Sequence, residues 1–148
     1  MFTGVFHHQL DAKGRTALPV RFRDVLSGQG TDKLIITSDL RDPFLQAYSP
    51  AQWETFARKV AALPQLREDV RRLMHVMIAP ALECPFDKVG RILIPPQLRE
   101  HAGLGEEVVW VGQLERIELW SPQAWKKKCE QDRTPESIAS IDALANSL

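Results

Sequence analysis

Four short runs, "LIIT" (34–37), "LQAY" (45–48), "VVWV" (108–111) and "IELW" (117–120), are built almost wholly of residues that favour strands. Each is bounded by polar or turn-forming residues, so the pattern predicts two β-hairpins far apart in the chain. Elsewhere the apolar residues fall at three- and four-residue steps. Trp53, Phe56, Val60 and Leu63 form one such stripe, and Leu66, Val70, Leu73 and Met77 a second. Residues 50–79 therefore read as two amphipathic helices separated near Pro64. Ser49-Pro50 and Ser121-Pro122 open helices with a capping hydroxyl followed by proline in the first turn. Thr134-Pro135 repeats the signal before a weak stripe of Ile138, Ile141 and Leu144.

The chain also says one thing twice. "LDAKGRTALP" (10–19) and "FDKVGRILIP" (86–95) share Asp, Gly, Arg and Pro at a constant offset of 76, which also aligns Arg23 with Arg99. "LQAYSPAQW" (45–53) matches "IELWSPQAW" (117–125) at an offset of 72. Internal duplication is thus the first organising fact of the sequence. In each copy the Asp suits the first position of a turn, where its carboxylate accepts from the amides that follow. The Gly suits a position of positive φ, so Asp11 with Gly14 and Asp87 with Gly90 predict tight hairpin tips from which Arg15 and Arg91 emerge. Pro19 and Pro95 suit the first position of the short helices "PVRFRDVL" and "PPQLREHAG", the second ending before Gly103.

Each unit therefore reads β-hairpin, short helix, β-hairpin. The expected layout is a first repeat over 5–50, a helical linker over 51–80, a second repeat over 81–124 and a C-terminal helix and tail over 125–148, the two repeats forming one compact domain.

Composition narrows the function. With 148 residues and 44% hydrophobic content the chain can bury a core, and 19 basic against 19 acidic residues leave no net charge. Nucleic-acid binding by bulk positive charge is excluded, so any such contact is local. The longest apolar run, Val76 to Leu82, is interrupted by Pro80 and is too short to span a bilayer, which predicts a cytoplasmic protein without membrane partners. Cys84 and Cys129 are expected as free thiols, and no spacing of Cys and His suggests a metal or other cofactor. His7 and His8 alternate across a strand and cannot ligate together. No nucleophile triad, zinc motif or phosphate loop is visible, so an enzyme is not expected. Lys126 to Lys128 and the charges of "LREDVRRLMH" read as wet helix faces.

Along essentially its whole length, from Met1-Phe2 through both D-x-x-x-R motifs, the chain resembles the MraZ family of bacterial transcription regulators. The resemblance implies an α+β fold in which duplicated hairpin–helix–hairpin halves interlock as a pseudo-dimeric, AbrB-like swapped-hairpin β-barrel, one chain carrying both halves. It further implies a ring-shaped homo-oligomer in the cytoplasm and nucleoid that binds short direct repeats in double-stranded DNA. The expected role is a repressor of the family's own promoter, which heads the division and cell-wall gene cluster. Asp11 with Arg15 and Asp87 with Arg91 match the family's DNA-contacting motifs. Two positions depart from the family's pattern: Thr3, where a basic residue is frequent, and Pro80, where small residues are usual.

The residues themselves leave roles open. A turn explains Asp11, Gly14, Asp87 and Gly90 but does not require Arg15 or Arg91, whose guanidinium forks suit a phosphate or guanine edge, or a pair with the neighbouring Asp. Lys13 and Lys88 add charge at the same tips, while Arg21 and Arg23 either support phosphates or form a solvated helix face. The alternative class is a non-DNA ring or scaffold whose tips bind RNA or protein.

Overall fold

A computed structural model describes residues 1–148 as a mixed α+β protein with six helices and antiparallel strand pairings. The first half runs β1 (Val5–Gln9), β2 (Arg15–Ala17), α1 (Val20–Gly28), β3 (Lys33–Ser38) and β4 (Leu45–Tyr48). Then come α2 (Pro50–Ala61) and α3 (Glu68–Leu73), the latter continued by a π-helical turn, Met74–Ile78. The second half repeats the first as β5 (Leu82–Pro85), β6 (Arg91–Leu93), α4 (Pro96–His101), β7 (Glu107–Gln113) and β8 (Arg116–Trp120), followed by α5 (Pro122–Asp132) and α6 (Pro135–Ala145).

The halves do not fold side by side. The six-stranded sheet has the order β1-β7-β8-β4-β3-β5, so the first strand of each half pairs with the second hairpin of the other. Phe6 faces Trp110 across one junction, and their counterparts Leu82 and Ile36 face each other across the second. The remaining strands, β2 and β6, make a ribbon in which Thr16 opposes its own counterpart, Ile92. Gln46 likewise opposes its counterpart Glu118 between β4 and β8. A pseudo-twofold axis thus passes through both pairs. Single bridges, Leu10 to Thr16 and Phe86 to Ile92, tie the ribbon to β1 and β5 and complete a circuit of pairings through all eight strands.

The core follows from this exchange. Eighteen buried residues form the main cluster, and they come equally from the two halves, with pairs such as Leu34 and Val108 or Ile36 and Trp110 at matching positions. Strands β3, β4 and β8 are buried on both faces because helices cover the outside of the sheet, which explains runs of apolar residues where simple alternation would suit a half-exposed strand. Tyr48 meets Trp53 and Phe56 of α2, while Trp120 packs on Phe44 and on Trp125 of α5. Cys84 lies in the core, where burial pushes its thiol up to about 11.

The predicted caps are present: Ser49, Ser121 and Thr134 accept from Gln52, Ala124 and Ser137 amides. Pro19 and Pro95 sit one residue earlier than expected, capping α1 and α4 with extended backbone instead of occupying their first turns. The tail is helical through Ala145. The helix before the second half ends in the π-turn, whose Val76 and Met77 carbonyls accept from Ser38 and Thr37 of β3 at 2.6 and 2.5 Å. Both carbonyls belong to the last turn of the helix, which has no donors of its own for them, and they are satisfied from the sheet. Pro80 follows after Ala79, and without an amide hydrogen it leaves the Val76 carbonyl to Ser38.

Trp110 is fully buried and its indole N–H finds no acceptor. Trp110→Ala is expected to destabilise the fold by about 3–5 kcal/mol through the cavity it leaves. Trp110→Phe, which removes the unpaired donor along with some volume, is expected to cost less than about 1.5 kcal/mol. Urea unfolding of both variants checks the difference.

Candidate functional site

Both predicted tips form, and they form alike. In the first, the Asp11 carboxylate accepts from the Lys13 and Arg15 amides at 2.9 Å each, while the Gly14 amide donates to the Asp11 carbonyl at 3.0 Å. In the second, Asp87 accepts from the Val89 and Arg91 amides at 3.0 Å each, and the Gly90 amide donates to the Asp87 carbonyl at 2.9 Å. Gly14 and Gly90 take φ of +88° and +83°, in the left-handed region where a Cβ is strained.

The same aspartates hold the arginines. Arg15 Nε donates to Asp11 Oδ2 at 3.0 Å, and Arg91 Nε to Asp87 Oδ2 at 3.2 Å. Each carboxylate thus grips its arginine by the side nitrogen only, and the two terminal nitrogens make no hydrogen bond within the chain. The pairing and the presentation of a free fork, open alternatives from sequence, therefore coexist. Donation from the Arg15 amide does most to hold Asp11 below the usual carboxylate range, helped by the Arg15 side chain and the Lys13 amide against a smaller opposing effect of desolvation. The Arg91 amide does the same for Asp87, with help from the Val89 amide. A depressed carboxylate pKa gives a tether present above the unfolded value, near 4, and lost only as the pH falls through the lower folded value.

Strand exchange brings the tips together. On the ribbon Thr16 and Ile92 point inward and are buried, so Arg15, Ala17, Arg91 and Leu93 lie on the outer face. Arg15 opposes Leu93 and Arg91 opposes Ala17, which makes the two arginines diagonal neighbours at roughly 7–8 Å between strands. Both line one open cleft of about 760 Å³ between β1 and β2, together with His7, Gln9 and Glu107. His8 also borders it and bonds the Ala17 carbonyl through Nδ1, bridging strands that separate beyond Leu10. Lys13 and Lys88 are exposed at the tips beside the arginines.

Arg21 and Arg23 sit elsewhere. Arg21 donates to Thr3 Oγ1 at 3.3 Å and lies 5.9 Å from the Phe6 ring, so the departure at Thr3 supplies an acceptor for this arginine. Arg23 lies over Gly90 of the opposite half, and its counterpart Arg99 lies over Gly14 with Nε bonded to the Ile94 carbonyl at 2.9 Å. Arg99 is the residue sequence reasoning did not assign to the site, although its alignment with Arg23 marked it. A methyl group at Gly14 would stand 2.6 Å from the Arg99 guanidinium carbon, and one at Gly90 would stand 2.8 Å from Arg23 Nη1. Gly14→Ala and Gly90→Ala are each expected to destabilise by about 1–3 kcal/mol through positive φ. Gly14→Ala should cost more because Arg99 is anchored and cannot swing aside freely; thermal melts of the two variants give the order.

Residues 1–75 and 77–145 match the family described as "MraZ protein, putative antitoxin-like", two segments that correspond to the two halves. A protein of Pseudomonas aeruginosa named "Transcriptional regulator MraZ" is 44% identical over 132 residues, covering 89% of this chain and 87% of its own. One of the same name from Azotobacter vinelandii is 44% identical over 125 residues, 84% of this chain and 82% of its own. Another from Alkalilimnicola ehrlichii is 38% identical over 148 residues, 95% of this chain and 99% of its own. On coverage of the whole chain and identity at this level, the protein belongs to the MraZ family.

Proposed function

We propose that this protein is a sequence-specific DNA-binding transcriptional regulator that works through the outer face of the β2–β6 ribbon. The observation that carries the reading is the pair of matched tips, each presenting an arginine clamped at Nε with both terminal nitrogens free. Such a fork matches the two acceptors on the major-groove edge of guanine, or a phosphate, and its fixed aim lowers the entropy lost on contact. The names of the relatives support transcription as the setting. The exchange of first strands between halves supports reading the architecture as an AbrB-like swapped-hairpin barrel, with 5–50 and 81–124 as its repeats and 51–80 as the linker.

The assignment of roles follows the geometry. Arg15 and Arg91 read or grip the duplex; Asp11 and Asp87 orient them; Lys13 and Lys88 neutralise phosphates alongside. Arg21 and Arg23 stay tied to Thr3, Phe6 and Gly90 and act through the fold more than through direct contact. One chain neutralises few phosphates and carries no net charge, so it binds weakly alone. A ring of copies meeting short direct repeats multiplies these contacts through effective concentration. By the family resemblance the target is the protein's own promoter at the head of the division and cell-wall cluster, and the outcome is repression.

Fluorescence-anisotropy titration of the upstream promoter fragment and a scrambled fragment, at several salt concentrations, tests this. Wild type is expected to prefer the promoter, and Arg15→Ala or Arg91→Ala to lose about 1–3 kcal/mol of that preference with unchanged melting. Equal, feeble binding to both fragments by assembled wild type would sink the reading and turn the search to RNA or protein partners. Equal loss on both fragments in the variants would make the arginines phosphate contacts.

A further inference from the structure

The pseudo-twofold axis also relates two hollows outside the ribbon. Each long hairpin has its turn beside the opposite half's Ser-Pro helix, so a hollow lies under α2 and a matching one under α5. Under α5 the hollow is closed. Phe44 stacks on Trp120 at 4.3 Å between ring centres and 12° between planes, and Lys128 pairs with Asp42 at 3.5 Å, leaving about 110 Å³. Under α2 the place of Phe44 belongs to Arg116, that of Trp120 to Tyr48 and that of Lys128 to Phe56. This hollow stays open at about 280 Å³.

Its lining is chemically unsatisfied. Arg116 makes no ion pair, and its Nε is buried without any hydrogen-bond partner. Lys59, at the exposed side of the hollow, is also unpaired. Gln52 and Thr55 offer neutral polar groups from the same helix, and Tyr48 stacked on Phe56 at 5.8 Å and 13° forms an aromatic wall. Glu115 is the one acidic residue of the lining, exposed on the β7–β8 turn. That turn holds Leu114 at φ +64°, the only non-glycine residue at positive φ, pinned by two backbone hydrogen bonds to Phe2 at 2.7 and 2.8 Å. A buried guanidinium nitrogen left without a partner is costly, and a strained turn that presents it asks for a reason.

We propose that the hollow under α2 binds the phosphoryl group of a small phosphate ester between Arg116 and Lys59, with the ester's flat or apolar body against Tyr48 and Phe56. Arg116 supplies a planar fork with its Nε already buried, and Lys59 a mobile point charge, the combination suited to a phosphate dianion. The volume lies just below the usual range for small-molecule sites and fits a compact ester, not a large cofactor. The phosphate is not that of DNA held on the ribbon, because the β4–β8 pair lies half-way round the circuit of strands from β2 and β6.

Titration calorimetry of the full chain with phenyl phosphate, against phenol and sulfate, tests the site. Wild type should bind phenyl phosphate saturably at one site per chain and more tightly than either control. Lys59→Gln and Arg116→Phe, the second recreating the filled hollow of the other half, should each weaken it about tenfold or more, the loss of one charge-assisted hydrogen bond. Arg15→Ala should bind as wild type does. No binding by wild type, affinity no better than for phenol or sulfate, or undiminished affinity in Lys59→Gln overturns the proposal. Circular dichroism melts establish whether Arg116→Phe is folded, and Lys59→Gln, an exposed change, carries the test if it is not.

Discussion

Neither half of this chain can complete its own sheet. The β3–β4 hairpin leaves β3 with an unpaired edge that only β5 fills, and β7 has the same need of β1. Free edges of this kind expose unsatisfied amides and carbonyls and invite pairing with other chains, so the exchange removes a liability while it builds the core. Everything at the candidate site depends on it. With each half donating its first strand to the other, β2 and β6 are left to meet each other. The Leu18 amide then reaches the Gly90 carbonyl at 2.7 Å, and the Ile94 amide reaches the Gly14 carbonyl at 2.8 Å. Each tip is thus braced by the half to which it does not belong.

Much of this was legible in the chain. Repetition of Asp, Gly, Arg and Pro at one offset located both tips, and the Ser-Pro signals located α2 and α5, because turn and cap chemistry acts over a few residues and leaves a local imprint. The partner of each strand was not legible from periodicity. Alternation says which face of β1 is buried but not that Phe6 lies against Trp110 more than one hundred residues away. That expectation came from family resemblance alone. The π-turn at Met74–Ile78 left no signal either, since the carbonyls at its end are satisfied by hydroxyls of β3 that donate to them. At the site, Arg15 and Arg91 were found from the motif, whereas the packing of Arg99 and Arg23 over the glycines is a tertiary contact between halves.

Carrying both halves in one chain also frees them to differ. In a dimer of identical subunits a change on one side of the axis is imposed on the other, but here each side varies alone. The position of His8, which bonds the Ala17 carbonyl beside the cleft, is Cys84 in the second half, buried and with its thiol pushed up to about 11. Phe44 fills the hollow beside α5, and Arg116 leaves its counterpart open. Residues that hold the two strands together, such as Thr16 with Ile92, remain small or branched and buried on the axis. Core pairs differ too, as Ile36 and Trp110 or Ala47 and Leu119 do, whereas the Asp, Gly and Arg of the tips are the same in both halves.

The tips diverge in a way that bears on how DNA would be read. Asp, Gly and Arg are kept in both, but the lysine stands two residues after Asp11 in the first tip and one residue after Asp87 in the second. The two arginines are therefore related by the axis while their supporting charges are not. A perfectly twofold reader would favour a palindromic site, since both halves would seek the same contacts in opposite directions. An imperfect one has a preferred orientation on the duplex, and copies joined head to tail all share that orientation. On the proposed reading, repeats running in one direction are then the natural target, and the asymmetry that selects them arises from the duplication itself.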